Sequence, residues 1–351
     1  MRRRFLGLGL GAAVLLAFPA TGMARTIDVF PGSSIQHAVH KAHSGDVIRV
    51  HEGVYHGSVE ITKNGLTLKG SGIDRNKGSV IKPRSTKRCE SGLAGICVLP
   101  HKHNGHKVRT QNTVIDGFLV RGFKGSGFLA EGTRRTTVAH SKFAADTEYG
   151  AAAFDTIRTK YLHNLAVGND EAGFYVGDSP TSRAIVRGNR ARDNGSFGFF
   201  LRDSSHGRAL RNEAVHNCLG IGLINTGAPG AVANWRILDN EADSNNHFCK
   251  GSGGEPPVSG TGIGLLGATR SIVRNNSVLS NKPSQPGPPF AGGIVVASAK
   301  PLGGSDSAHD TIVRNHALRN KPADIAWDGR GKGNKFRKNR CDSSVPGGLC
   351  G

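Results

Sequence analysis

The chain has 351 residues, with 46 lysines and arginines against 26 aspartates and glutamates, so its net charge is +20. Such a charge favours anionic partners and disfavours cationic ones, unless it serves only solubility. The length exceeds one ordinary globular core, and no Pro- or Ser-rich linker divides it, which argues for a repeat architecture rather than a string of separate domains.

The N-terminal segment predicts a secretory signal peptide over residues 1–24. Three arginines follow Met1, an apolar run covers residues 5–18, and small residues lead to Ala24. The apolar run is shorter than the ~20 residues of a membrane-spanning helix, so we expect cleavage after Ala24 and export. Loss of the three arginines lowers the net charge from +20 to +17. We expect no transmembrane segment in the mature protein.

Residues 33–45 predict a short capping helix. Ser34 is a typical N-cap, and Gly45 is a typical stop. Between them, apolar residues recur at helical spacing: Ile35, Ala38, Val39 and Ala42. Such a helix would cover the open end of a solenoid.

The pattern Asn-x-(Ala/Val)-x-x-Asn recurs through the chain. Copies begin at Asn164, Asn189, Asn212, Asn240, Asn276 and Asn315, with a degenerate copy at 141–146 and a truncated one at Asn339. Long intervals between copies indicate insertions near 247–260, 282–292 and 299–310, which we expect on one flank. We interpret the asparagines as structural, because Asn tolerates the left-handed conformation of a tight corner and can also bond along a ladder.

A second strand follows each copy, with apolar residues at alternate positions. The pairs are Phe174/Val176, Phe199/Leu201, Ile221/Leu223, Ile263/Leu265, Ile294/Val296 and Ile325/Trp327. A period of two places each pair on one face of a strand. Three short strands per coil predict an all-β fold: one right-handed parallel β-helix domain of about ten coils over residues 25–351.

Six cysteines in an exported chain predict disulfides. They allow 15 pairings, and sequence proximity favours Cys89–Cys97, Cys218–Cys249 and Cys341–Cys350. The absence of a Cys-x-x-Cys pair argues against zinc. The loop closed by the last pair could cover the final coil.

The opening of the mature chain resembles the first coils of pectin-lyase-like right-handed β-helix proteins. The resemblance rests on Ser34-Ile35-Gln36, Ala38, Ala42, Gly45-Asp46-Val47-Ile48, Gly53-Val54-Tyr55 and Leu66-Thr67-Leu68-Lys69-Gly70. That superfamily includes pectate lyases, other polysaccharide lyases and epimerases, and periplasmic copper-site assembly proteins. Later segments, at 173–179 and 198–204, are similar to exported actinobacterial β-helix proteins. The resemblance implies the fold and leaves the activity open.

A column of acidic and amide side chains follows the second strand: Asp155, Asp178, Asp203 and Asn225. Stacked strands lie ~4.8 Å apart, so these carboxylates need a cation, a raised pKa or solvent between them. Their hard oxygens predict a calcium site. Pectate lyases, which the chain resembles, carry such acids and a basic catalytic residue on the outer surface. The candidate catalytic residues are therefore Tyr175, Asp178, Arg202 and Asp203. The alternative is that the aspartates only form Asx turns.

Two further sets of residues have open interpretations. Arg187, Arg211, Arg274, Arg314 and Lys338 precede corner asparagines and predict a basic stripe, interrupted by His163 and Asp239. The stripe binds a linear polyanion or is a solvated face. The cluster His101, His103 and His106 binds a metal or is a solvated loop without a strand to orient it.

Together these observations predict an exported β-helix protein that binds an acidic polysaccharide and, as an enzyme, processes it by lyase, epimerase or hydrolase chemistry. The alternatives are a non-catalytic cell-surface or wall-binding protein and a periplasmic-type metal-delivery protein. We expect a monomer whose partner is an anionic polysaccharide or wall polymer rather than nucleic acid. Calcium is the candidate cofactor.

Overall fold

The computed structural model of the protein describes residues 24–251 and 256–351. The predicted signal peptide lies outside the described residues, apart from Ala24. The chain winds through three parallel sheets of twelve, ten and eleven strands, called here sheets A, B and C. Each coil adds one strand to each sheet, and the ten strands of sheet B mark the ten coils that the sequence predicts.

The bounds of the elements follow. Sheet A contains Thr26–Val29, Val47–Val50, Thr67–Lys69, Val114–Asp116, Thr137–Ala139, Lys160–Leu162, Ile185–Arg187, Arg208–Leu210, Arg236–Leu238, Ile272–Arg274, Thr311–Val313 and Lys335–Arg337. Sheet B contains Gly53–His56, Ser79–Lys82, Phe118–Arg121, Lys142–Ala144, Leu165–Val167, Arg190–Arg192, Glu213–Val215, Glu241–Asp243, Ser277–Leu279 and His316–Leu318. Sheet C contains Val59–Ile61, Ile96–Val98, Phe128–Glu131, Ala151–Phe154, Ala172–Ser179, Phe197–Ser204, Leu219–Ile224, Thr261–Leu266, Gly292–Ala297, Ile325–Trp327 and Ser344–Val345. The helices are Ile35–Lys41, Arg88–Gly92 and the 3₁₀ turn Lys300–Leu302.

The core lies inside the coils and is built from one inward residue or pair per strand. The apolar pairs predicted for sheet C all contribute to it, and Trp327 of the last pair is only partly buried. The pairs of neighbouring coils lie above one another, and the Phe174 ring stacks on the Phe199 ring at a centroid distance of 5.2 Å. A single coil could not enclose these side chains, so the stacked neighbours supply the burial.

The corner asparagines form two buried ladders, as predicted. In one ladder, Asn189 Nδ2 donates to Asn212 Oδ1 at 3.0 Å and to the Tyr161 carbonyl at 2.9 Å. The ladder asparagines do not themselves take the left-handed conformation, which corrects our expectation. The residue before each one does, for example His163 (φ 56°) and Arg211 (φ 53°). The corner turns at that residue, which leaves the asparagine side chain free to bond inward.

Both ends are closed, as predicted. The capping helix Ile35–Lys41 begins at Ser34, whose hydroxyl accepts from the His37 N–H. The Gln36 side-chain amide donates to the Glu60 carbonyl and accepts from the Glu60 N–H, which joins the helix to the first strand of sheet C. Lys63 Nζ donates to three carbonyls at the end of the helix. At the other end, strand Ser344–Val345 joins sheet C.

All three predicted disulfides are present: Cys89–Cys97, Cys218–Cys249 and Cys341–Cys350. Disulfides are typical of proteins that fold in oxidising compartments outside the cytosol. Among the described residues, no helix has the length and apolar character needed to cross a membrane.

Two sequence predictions about loops are wrong. The insertions flank both edges of sheet C rather than one: 247–260 and 282–292 enter its strands from sheet B, whereas 299–310 leaves it towards sheet A. The histidine segment is not an irregular loop, because His101–His103 and His106–Val108 pair as an antiparallel hairpin. The hairpin is too short to show period-two patterning in the sequence.

Candidate functional site

The outer face of sheet C carries a second apolar cluster, separate from the core inside the coils. Register-paired residues on this face include Leu129, Ala152, Tyr175 and Phe200, and all are buried. Outward positions of a solenoid sheet normally meet water, so a buried aromatic row there needs a cover or a ligand. The cover comes from Tyr149 and the flanking insertions.

An apolar cleft of about 360 Å³ lies at one end of this cluster. Its floor includes Phe200, and Gly222 adjoins it: a Cβ on Gly222 would lie 3.1 Å from the Phe197 ring. The insertions form the walls of the cleft: Pro256, Val258 and Phe290 on one side, and Thr226, Pro301 and Leu302 on the other. Arg202 is the one charged side chain among the described residues of its lining.

An acidic groove of about 420 Å³ lies at the other end of the cluster. Its carboxylates belong to Glu90, Glu131, Glu148, Asp155 and Asp178. Burial raises the pKa of Glu90, and the charges of Glu131 and Glu148 raise it further. Sequence reasoning missed this groove, because its acids come from loops and strand ends that only the coiling brings together.

Glu90 reaches the groove from an unusual turn. Cys89, Glu90 and Ser91 all have left-handed backbone conformations, with φ between 45° and 61°. Successive left-handed residues other than glycine are costly, so the surrounding structure has to hold them. The Cys89–Cys97 disulfide and a hydrogen bond from the Cys89 N–H to Glu60 Oε2 at 3.0 Å do so.

Tyr175 joins the two ends of the site. Its ring packs against Tyr149 at 4.8 Å and Phe154 at 4.6 Å. The Arg202 guanidinium lies 5.9 Å from the Tyr175 ring centroid, a cation–π contact. The Tyr175 hydroxyl is fully buried and has no hydrogen-bond partner among the described residues. Burial raises the pKa of Tyr175 well above its usual value, so this hydroxyl stays protonated and is a free donor.

The predicted column of acids exists, but each side chain has its own partners. Asp155 binds Arg109, whose Nη2 lies 2.7 and 2.9 Å from the two carboxylate oxygens. Arg202 reaches Asp178 at 3.3 Å and Asp203 at 3.4 Å, so a guanidinium stands between these two carboxylates. All three aspartates adopt left-handed backbone at the end of their strand, which is the turn role of the alternative interpretation.

Asp203 and Asn225 are also occupied. Asp203 is buried, and it accepts hydrogen bonds from the Thr226 N–H at 2.8 Å and from the Thr226 hydroxyl at 2.5 Å. The Asn225 amide oxygen accepts from the Gly227 N–H at 2.9 Å. At least one oxygen of each of Asp155, Asp178, Asp203 and Asn225 already contacts an arginine, Thr226 or the Gly227 N–H, and a calcium ion would have to replace these contacts.

No cluster of three acidic, histidine or cysteine side chains elsewhere in the described chain is a credible metal centre. Within residues 24–251 and 256–351, the only group of three or more such side chains whose ligand atoms lie within 4.8 Å of one another is Glu60 with Cys89 and Cys97, and those cysteines form a disulfide. The histidine hairpin does not gather its three imidazoles to that distance.

Comparison with known proteins identifies the class of fold. Residues 87–242 match the family model described as "Right handed beta helix region". No curated protein sequence matches the chain.

Solved structures with the same architecture share little sequence with this chain. The A-module of the mannuronan C-5 epimerase AlgE6 from Azotobacter vinelandii is 14% identical, with a TM-score of 0.60 over 88% of each chain. The Dettilon tailspike protein is also 14% identical, with a TM-score of 0.60 over 92% of this chain and 60% of its own. The DFA-IIIase of Arthrobacter chlorophenolicus A6 is 11% identical, with a TM-score of 0.54 over 85% of this chain and 88% of its own. This protein has a right-handed parallel β-helix fold.

Proposed function

We propose that the protein binds and processes a carbohydrate chain that contains acidic sugars, along the outer face of sheet C. The observation that carries the proposal is the apolar cleft, which a buried aromatic row outside the coil core joins to an acidic groove. Sugar rings pack on aromatic and apolar surfaces such as the Phe200 floor and the Phe290 wall of the cleft, and a few convergent polar groups fix their orientation. The names of the compared structures, an epimerase, a tailspike and DFA-IIIase, agree with a carbohydrate ligand.

Arg202 is the recognition residue in this proposal. It lines the apolar cleft, and its side chain is 30% exposed. A guanidinium is well suited to bind a sugar carboxylate through two hydrogen bonds. Its current partner Asp178 is held at 3.3 Å, a long contact that a substrate carboxylate could replace. The apolar walls would then exclude water from the pair.

The groove supplies groups for proton transfer. Burial and the nearby charges of Glu131 and Glu148 raise the pKa of Glu90, so its carboxyl keeps its proton to a higher pH than usual. Such a set can provide both a general acid and a general base. The same acids would repel a run of uronates, so we place the acidic sugar at Arg202 and hydroxyl-rich sugars along the groove.

A panel of oligosaccharides and polysaccharides, both polyuronates and mixed neutral–acidic chains, tests this proposal with wild type and single variants. We expect new reducing ends, unsaturated ends or epimerised residues with at least one substrate. Arg202→Gln should lower kcat/KM about tenfold or more on acidic chains, and Glu148→Gln should lower kcat. Lys282→Gln, on an exposed insertion, is the matched control. Binding without turnover by wild type would leave the wall-binding alternative, which predicts equal affinity in Asp178→Asn with Asp203→Asn.

Calcium binding by the column of Asp155, Asp178, Asp203 and Asn225 stays a proposal, and it requires that existing contacts of these side chains break. Arg109 and Arg202 would have to leave Asp155 and Asp178 before an ion could enter. We therefore expect millimolar calcium to raise the melting temperature of wild type by only a few degrees, through preferential binding to the folded state. The rise should vanish in the double variant Asp178→Asn, Asp203→Asn. An unchanged wild-type melting curve would assign the column to turn structure alone.

A further inference from the structure

The outer face of sheet A is basic along most of its length. Lys160, Arg208, Arg236 and Lys335 lie in one register column, with Ile185, Ile272 and Thr311 at the intervening strands. Arg187, Arg274 and Arg337 lie in the neighbouring outward column, two residues further along their strands. All these lysines and arginines are exposed.

The corners that border sheet A extend the same charge. Arg135, Arg158 and Arg183 occupy left-handed corners of three successive coils on the side of sheet C. Arg211, Arg314 and Lys338 occupy the left-handed corners on the side of sheet B. The predicted basic stripe therefore divides into two adjacent columns of a wider basic face. Arg187 and Arg274 lie two residues before a ladder asparagine, whereas Arg211, Arg314 and Lys338 lie one residue before it.

This face is not neutralised within the molecule. None of the lysines and arginines named above forms an ion pair with a carboxylate of the described residues, whereas Arg49 in the second strand of sheet A contacts Asp28 at 3.5 Å, and Arg190 and Arg192 on sheet B are paired with Glu213 and Asp193. In the outward columns of sheet A from Lys160 onwards and in the corner columns that contain Arg158 and Arg211, Asp239 is the one acidic side chain among the described residues, and it accepts a hydrogen bond from Asn275. Unpaired charges at such density repel one another, and the cost falls when an anion binds.

We infer that the outer face of sheet A is a docking surface for a polyuronate, a linear polysaccharide with one carboxylate per sugar, separate from the carbohydrate groove on sheet C. Each coil from Lys160 onwards presents at least one cation on this face or at its corners, and neighbouring coils lie about 4.8 Å apart. The choice of occupant rests on the proposed function, which gives the protein an acidic carbohydrate as its ligand. Such a chain would run across the strands and neutralise several coils at once. Docking of this kind would hold the protein on its polymer while the groove on sheet C acts on a separate segment.

The composition of the face favours a polymer over an anionic bilayer. Peripheral membrane surfaces combine basic residues with apolar side chains that insert below the headgroups. The exposed large apolar residues of the described chain lie outside sheet A, and the apolar residues on its outer face, such as Ile185 and Ile272, are only partly exposed between exposed lysines and arginines. Electrostatic attraction along a groove-free face is the recognition mode of polyanions.

Binding to immobilised polygalacturonate tests the inference, and long-chain inorganic polyphosphate is the comparison polymer. Tighter binding to polyphosphate than to polygalacturonate would contradict a polyuronate occupant. The test variant is Arg187→Gln with Arg208→Gln and Arg236→Gln. Its matched control is Lys82→Gln with Arg84→Gln and Lys87→Gln, which removes the same charge from exposed positions away from sheet A. We expect about tenfold weaker binding for the test variant and less than twofold for the control. The slope of log affinity against log salt should fall by about two to three in the test variant.

Three further outcomes would overturn the inference. Equal losses in both variants would mean that net charge alone drives binding. Failure of wild type to bind polygalacturonate at about 50 mM salt would remove the ligand class. Tighter binding to phosphatidylglycerol vesicles than to polygalacturonate would make the face a membrane surface. Turnover of short oligosaccharides is unaffected in each case, so the proposal for sheet C is tested separately.

Discussion

Asp146 occupies a ladder position that asparagine fills in later coils. Its backbone N–H donates to Asn169 Oδ1 at 3.2 Å, and its Oδ1 accepts from the Phe123 N–H at 2.9 Å. Its Oδ2 is buried and has no hydrogen-bond partner among the described residues. Burial raises the pKa of Asp146 to about 8, so the folded protein keeps this carboxyl protonated at neutral pH.

Replacing Asp146 by asparagine should therefore stabilise the protein in a pH-dependent manner. Between the unfolded pKa near 4 and the folded pKa of about 8, the folded state holds a proton that the unfolded chain has lost. Wild-type unfolding free energy consequently falls as pH rises through this window. Asp146→Asn removes that loss, so its advantage should grow from pH 4 to pH 8 and level off above it. We expect a gain of about 1–3 kcal/mol at pH 8.

Chemical denaturation at several pH values measures this effect. Asp170→Asn, an exposed aspartate one coil further on, is the control and should give a difference that does not grow with pH. A constant difference for Asp146→Asn as well would show that the buried carboxyl is not the titrating group. The sequence already marks residues 141–146 as a degenerate repeat, but only the structure shows that the substitution buries an ionisable group.

At the scale of the element, the sequence predicts what repeats and misses what does not. The ladders, the inward pairs of sheet C and the capping helix all follow from periodic residues, because every coil places the same position in the same environment. The three disulfides follow from proximity along the chain. The left-handed residue before each asparagine varies between His, Gly, Arg, Asp, Ser, Asn and Lys, so composition gives no signal for it.

The outer face of sheet C lies beyond what a repeat can predict. The positions of Tyr175 and Phe200 are occupied by Ala152 and Gly222 in neighbouring coils. Because the aromatic residues do not repeat from coil to coil, the sequence pattern does not predict an aromatic row there. The acidic groove combines Glu90 from a disulfide-held turn with Glu131 and Glu148 from other coils. The catalytic set predicted from the sequence includes Tyr175 and Arg202, which the structure brings together, and Asp203, whose oxygens face Thr226.

At the scale of the whole molecule, basic and acidic side chains lie on different faces. Sheet A carries unpaired basic residues, whereas the groove on sheet C gathers acids around an apolar and aromatic platform. A solenoid permits this separation, because each face is a stack of equivalent positions that can vary without disturbing the core. The net charge of +20 therefore describes the sum of two surfaces of opposite character rather than a uniformly basic protein.

The same stacking makes stability local, and the N-terminal cap provides a test. Gln36 and Lys63 fasten the capping helix to the first coil through hydrogen bonds to Glu60 and to three helix carbonyls. The double variant Gln36→Ala, Lys63→Ala should expose the first strands of sheets A and C, because the edge loses its cover. Each coil contacts mainly its neighbours, so loss of protection should fade along the stack.

Hydrogen exchange resolves this prediction coil by coil. We expect amides in strands Val47–Val50 and Val59–Ile61 to exchange about tenfold faster or more, whereas those in Phe197–Ser204 stay as in wild type. His37→Ala, on the exposed side of the same helix, is the control and should leave all strands protected. A uniform increase over all coils would mean that the solenoid unfolds as one cooperative unit.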